Sequence, residues 1–161
     1  FSIMRYNYKN TKEVKERMID YNDVEDYLDW TKQKAALKFN SGSKNFPIVY
    51  NCVYWAFMGC NVGSEEGKHR PVLVIRTYKN SPICTVLPMT TQRLNDGYWY
   101  HIDLEKQNST VLCEQMRIID IARIDKPFRV GGKIVSITKK DWEAIDKQVK
   151  WLYSMKNKPQ Q

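Results

Sequence analysis

Residues 59 to 71 read Gly-Cys-Asn-Val-Gly-Ser-Glu-Glu-Gly-Lys-His-Arg-Pro, and an apolar run over 72–75 follows at once. Arg70 therefore stands where a glycine-punctuated polar loop enters a buried strand, a position suited to holding a phosphate. Its guanidinium is permanently charged and matches phosphate oxygens two at a time. A second segment, Leu87-Pro88-Met89-Thr90-Thr91-Gln92, carries a hydroxyl on Thr90 that can hydrogen-bond the same group. A third, residues 111–120, holds Glu114, Gln115 and Arg117. A fixed cation, a hydroxyl and nearby carboxylates suit transfer at phosphorus, where charge must be stabilised and a proton moved. Glu65 and Glu114 are the candidate general bases, and either would need burial or charge coupling to act near neutral pH. His69 and His101 suit proton transfer by residue type. Strand alternation turns His69 away from Arg70, however, and both read as surface histidines.

Arg70 and Thr90 can meet only if 71–78 and 83–88 pair as a hairpin about the turn Asn80-Ser81-Pro82. The first of these strands is apolar on both faces in its middle and is expected to be central. Pro88 has no N–H, so the second is expected to end or bulge there, releasing Thr90 and Thr91 into a loop. Residues 48–57, rich in Tyr, Val, Trp and Phe, read as a preceding strand. Further strands are expected over 98–104, then over 109–114 and 117–124 (one strand or two, bent near Gln115), and over 133–137. Thr138 with Asp141 caps a last helix that places Trp142, Ile145, Val149 and Leu152 on one face. This pattern predicts an α+β, mainly β fold: a small antiparallel SH3-like barrel closed by a C-terminal helix.

Upstream, residues 11–40 read as helix, with Val14, Met18, Tyr21, Val24, Leu28 and Ala35 as its apolar stripe. A break near Tyr21-Asn22-Asp23 is expected, with Asp23 starting the second part. The chain divides into an N-terminal helical extension (1–46), a main domain (47–155) and a polar tail (156–161). The extension is expected to cap a sheet edge. Its acidic cluster between Asp20 and Asp29 argues against nucleic acid on that face.

The formal charge of +8 over 161 residues, with a pI near 9.3, points to a polyanionic partner. No apolar stretch approaches the ~20 residues of a membrane-spanning helix, and no signal-peptide pattern is expected at the N-terminus. The chain opens on Phe1 rather than Met, as after trimming. Cys52, Cys60, Cys84 and Cys113 form no C-x-x-C pair, so free thiols in a reducing cytoplasm are expected rather than a metal site. Tyr98, Trp99 and Tyr100 follow a glycine turn, where bases of a single strand could stack, although alternate members would also fill a core. Lys68, Arg76, Lys79 and Arg93 would hold a nucleic-acid backbone and make binding salt-sensitive.

In this order and spacing the three segments resemble the MazF/PemK family of toxin endoribonucleases, over roughly residues 48 to 153. The resemblance implies a cytoplasmic homodimer that cuts single-stranded mRNA at specific sequences without metal or cofactor. The 2′-hydroxyl would attack, leaving a 2′,3′-cyclic phosphate and a 5′-hydroxyl. A cognate MazE-like antitoxin protein would block the groove. Arg70 and Thr90 take the family's catalytic positions, with Glu65 as the accompanying carboxylate. By the same resemblance Gly63, Ser64, Thr91, Gln92, Glu114, Gln115 and Arg117 border the RNA, and by their place beside these segments Lys68, His69 and Arg93 join them as candidate RNA contacts. Some members use an arginine two residues before the acidic position of the third segment; Leu112 stands there, so that role is not transferred. Two alternatives share the fold: a ToxN-like ribonuclease restrained by an RNA antitoxin, and a non-catalytic CcdB-like gyrase-binding toxin.

Overall fold

The computed structural model describes residues 20–39 and 42–154. The helix expected before Asp20 and the polar tail lie outside the described residues. The elements are α1 (Tyr21–Phe39), β1 (Val53–Gly59), β2 (Lys68–Thr77), β3 (Ile83–Thr90), β4 (His101–Asp103), β5 (Thr110–Leu112), β6 (Arg117–Asp120), β7 (Ile124–Pro127), β8 (Arg129–Val130), β9 (Lys133–Ile134) and α2 (Lys139–Leu152).

Strands β1, β2 and β3 form an antiparallel meander, with β2 in the middle as its apolar run requires. The far edge of β3 pairs with β6 through Ile83–Val86 and with β5 through Met89 and Thr90. The far edge of β1 pairs with β7. Because a short 3-10 turn (Ile121–Arg123) joins β6 to β7, the path returns to β1 and the sheet curls into a small barrel. Alternation then gives each central strand two buried faces. Tyr54, Ala56, Val72, Val74, Val86 and Ile124 make one apolar cluster. Val53, Leu73, Leu87, Met89, Val111 and Ile145 make the other, with Trp142, Val149 and Leu152 of α2 packed against it. The α2 capping box between Thr138 and Asp141 is formed as its sequence predicts.

Several boundaries differ from the expectations. The first strand begins at Val53 rather than 48, because Asn51 adopts a left-handed φ of 66° that strand pairing does not accommodate. The segment before it is tied down by the buried Tyr54, whose hydroxyl donates to the Pro47 carbonyl (3.0 Å) and accepts from the Val49 amide (2.9 Å). β3 does not stop at Pro88. That residue lies between the β6-paired and β5-paired stretches of its edge, where no ladder donor is needed, and the strand runs on to Thr90. The bend expected near Gln115 is a 3-10 turn, Cys113–Gln115, between β5 and β6. The strand expected over 98–104 shrinks to His101–Asp103, since Asp96 draws the Tyr98 amide into a turn (3.1 Å).

Helix α1 starts after Asp20, not Asp23: the Asp20 carboxylate accepts the Asn22 amide at 2.9 Å. The expected stripe does not pack. Val24 is 38% and Leu28 52% exposed, and Ala35 is exposed too. The helix instead lays Trp30 against Gly59 at the end of β1 and beneath the Arg123 guanidinium, 5.3 Å from the indole ring.

Candidate active site

The register of β2 against β3 pairs Val72 with Pro88 and Val74 with Val86. Carried two residues further along each strand, it sets Arg70 across from Thr90. Both line a groove of about 650 Å³. Trp55 and Phe128 make an aromatic wall of it, and Thr91, Gln92 and the loop 106–109 supply polar groups. Thr90 is braced at the end of its strand: its carbonyl accepts from the Ser109 hydroxyl (3.2 Å) and its hydroxyl from the Gln92 amide (3.2 Å).

Arg70 is held before any substrate arrives. Its Nε donates to the Gly67 carbonyl at 2.6 Å, and its Nη1 pairs with the Glu66 carboxylate. Both side chains of the pair are about four-fifths buried (20% and 21% exposed), so the pair is shielded from solvent. The arginine is thus oriented, and an internal carboxylate occupies one fork of its guanidinium. A phosphate entering the groove would compete with Glu66 for that fork.

The loop carrying Glu66 is itself latched. Gln115 accepts the Glu66 amide on its Oε1 (3.2 Å) and donates from Nε2 to the Ser64 carbonyl (3.2 Å). Asn61 closes the same loop by donating to the Glu66 carbonyl at 2.6 Å. Two of the sequence segments therefore meet through one carboxamide. Gly63 takes a left-handed φ of 61°, and Glu65 is exposed at the loop's tip with its amide on the Val62 carbonyl.

Of the remaining candidates His69 lines the same groove, while the others lie apart. His69 points to the opposite face of β2 from Arg70, stacked with Trp55 and Phe57, its Nε2 3.2 Å from the Asp125 carboxylate. It borders the groove from that side. Lys68 is exposed, with its ammonium 3.8 Å from Asp26 of α1. The His101 side chain is not at the surface: only 7% exposed, it bridges Asp96 (Nδ1, 2.7 Å) and Glu114 (Nε2, 3.2 Å). The Asp96 turn folds back over β4 and covers it. Glu114 is thereby engaged by His101. Burial works against the Asp96 carboxylate, but the Tyr98 amide, the His101 ring and the charge of Arg93 outweigh it and lower its pKa. Arg93 thus faces this cluster. Arg117 lies in β6 opposite Val86, close enough to Arg123 for repulsion to add to the burial that lowers the Arg123 pKa.

Sequence reasoning missed Glu66 as the partner of Arg70, although it directly follows the candidate Glu65. It also missed Trp55, Phe128 and the 106–109 loop as groove walls. The alternation of aromatics in β1 was the available signal for Trp55; nothing local marked the others. Among the described residues no group of three or more His, Cys, Asp or Glu side chains is arranged to hold a metal ion.

A curled antiparallel barrel presents an arginine and a threonine from neighbouring strands to one groove. Residues 51–153 match the family model described as PemK-like, MazF-like toxin of type II toxin–antitoxin systems, and the chain belongs to that family. Endoribonuclease EndoA of Bacillus subtilis (strain 168) is 35% identical over 81 residues, which cover 45% of this chain and 70% of EndoA. The crystal structure of MazF from Deinococcus radiodurans superposes with a TM-score of 0.58 at 17% identity, covering 69% of this chain and 100% of that one. A mycobacterial endoribonuclease in complex with its cognate antitoxin superposes with a TM-score of 0.51 at 10% identity, covering 70% of this chain and 100% of that one. At these identities the solved structures speak to the fold. α1 lies outside the family-matched residues.

Proposed function

We propose that the protein is the toxin of a toxin–antitoxin pair and a metal-independent, sequence-specific endoribonuclease acting on single-stranded RNA. The observation that carries this reading is the opening of Arg70 and Thr90, from adjacent strands, onto one groove. RNA brings its own nucleophile, the 2′-hydroxyl next to the scissile phosphate. The protein must therefore orient that phosphate, stabilise its developing charge and move protons. Arg70 binds the phosphoryl oxygens as Glu66 gives way, and the Thr90 hydroxyl donates to the same group. Glu65, exposed on the loop tip, takes the 2′-hydroxyl proton as substrate closes over it. The 2′-oxygen bonds to phosphorus as the bond to the 5′-oxygen breaks, and the departing 5′-oxygen takes a proton from water, leaving a 2′,3′-cyclic phosphate and a 5′-hydroxyl. Trp55 and the polar loops flanking the groove hold the neighbouring nucleotides.

The match to a type II family supports a protein antitoxin over an RNA one, and an acidic antitoxin segment suits the charge of +8. The oriented arginine supports catalysis over a purely binding toxin. We assign residues 47–155 to the toxin domain and 1–46 to an extension, and place the protein in the cytoplasm as a homodimer.

The test is cleavage of a long unstructured RNA in EDTA by the native protein and by Arg70→Ala, with both ends of every product mapped. Discrete cuts with 5′-hydroxyl ends, reduced about 10²–10³-fold in the variant, are expected for loss of one charge-stabilising donor. A native, folded, antitoxin-free protein that leaves the RNA intact would overturn the assignment.

A further inference from the structure

We propose that Trp30 of α1 is a positioning residue for Arg70, acting through the backbones of Gly59 and Gly67. This rests on the reading of Arg70 as the phosphate-binding group.

The contacts form a continuous chain. The indole of Trp30 lies so close over Gly59 that a Cβ there would meet its Cε2 and Cζ2 at 3.1 Å. Gly59 has a φ of +103° and ends β1 at a register shift, so its carbonyl direction is set by this glycine-only turn and by what presses on it. That carbonyl lies against Gly67: a Cβ on Gly67 would stand 2.5 Å from the Gly59 oxygen. The Gly67 carbonyl in turn accepts the Arg70 Nε at 2.6 Å. Each link is backbone or a rigid ring, which leaves little slack for a displacement to dissipate. Packed groups of this kind transmit shifts rather than absorb them.

Two further contacts hold α1 on this end of β1. The Cys60 thiol donates to the Asp26 carbonyl (3.4 Å), and the Arg123 guanidinium covers Trp30 while donating to the Phe57 carbonyl (3.1 Å). Gln115 latches the loop at Ser64 and Glu66, and α1 sets its root at Gly59. α1 contributes no fully buried residue, so its contact with the barrel is local rather than a share of the core. A helix beyond the family-matched residues thereby sets the direction of the family's phosphate-binding arginine.

The test uses the full chain with Trp30→Ala and Trp30→Phe, read by RNA cleavage and by the Arg70 Nε–Hε cross-peak in ¹⁵N NMR of the free protein. In Trp30→Ala the cross-peak is expected to move, and kcat to fall by about tenfold or more with KM within about twofold, as for a misplaced reacting group. Trp30→Phe, which keeps a ring over Gly59, is expected to recover most of both. The proposal is overturned by a cross-peak that stays in place in Trp30→Ala, whatever the rate does, and equally by a moved cross-peak with kcat unchanged. If the native protein cuts no RNA, the ribonuclease reading fails, while the cross-peak still decides whether Trp30 sets Arg70.

Discussion

Replacing Gln115 by Ala removes both hydrogen bonds that hold the Ser64–Glu66 stretch to the barrel, each 3.2 Å long. A neutral hydrogen bond contributes about 0.5–1.5 kcal/mol net, so the latch is worth roughly 1–3 kcal/mol. At ~1.4 kcal/mol per factor of ten, local opening of the loop should become about 5–150 times more frequent, with a central value near thirtyfold. The Glu66 amide is itself a donor to Gln115, so its hydrogen exchange reads the opening directly. Arg70 depends on Glu66 and on the Gly67 carbonyl, so kcat should fall with the closed population, while global stability changes little. Exchange of the Glu66 amide in the free protein and steady-state cleavage together make the assay. A Gln115→Ala protein that raises KM but leaves Glu66 exchange within about twofold of native would refute the latch. Gln115 would then be a substrate contact.

Three other outcomes are expected. Burial pushes the Cys84 thiol up to about 11 and the Cys113 thiol up to about 12, so neither should react with iodoacetamide at pH 8 until the protein unfolds. Cys60, partly exposed on the site loop, should be modified first, as peptide mapping would show. Asp96 is held below the ordinary carboxylate range on folding, so its contribution to stability is whole above its unfolded pKa of ~3.9 and fades as pH falls through the lower folded value. The urea-midpoint gap between native and Asp96→Asn should therefore narrow on acidification; a gap independent of pH would contradict the His101 bridge. Ile145→Ala should lower unfolding free energy by about 2–5 kcal/mol, since Ile145 is 1% exposed where α2 meets the sheet. A loss under 1 kcal/mol, on that same cavity scale, would mean that α2 is not part of the core.

Much of the protein was legible in its order of residues. The run 72–75 fixed a central strand because only a strand covered on both faces tolerates unbroken apolarity. The Thr138–Asp141 box fixed the start of α2 because its bonds are local. Arg70 and Thr90 were legible as types, and their pairing followed once 71–78 and 83–88 were read as a hairpin. Tertiary structure alone decided what acts on them. Which carboxylate meets Arg70 depends on loop closure by Gln115, 49 residues away from Glu66. Pro88 keeps its strand because β3 changes partners beside it, and the His101 side chain is covered because it bonds the Asp96 turn. The docking of α1 turned on one indole against one glycine rather than on its apolar stripe, whose exposed residues no local pattern distinguishes from packed ones. Local bonding and periodicity are written along the chain. Contacts between distant segments depend on which surfaces the closed barrel brings together, and these set the arginine.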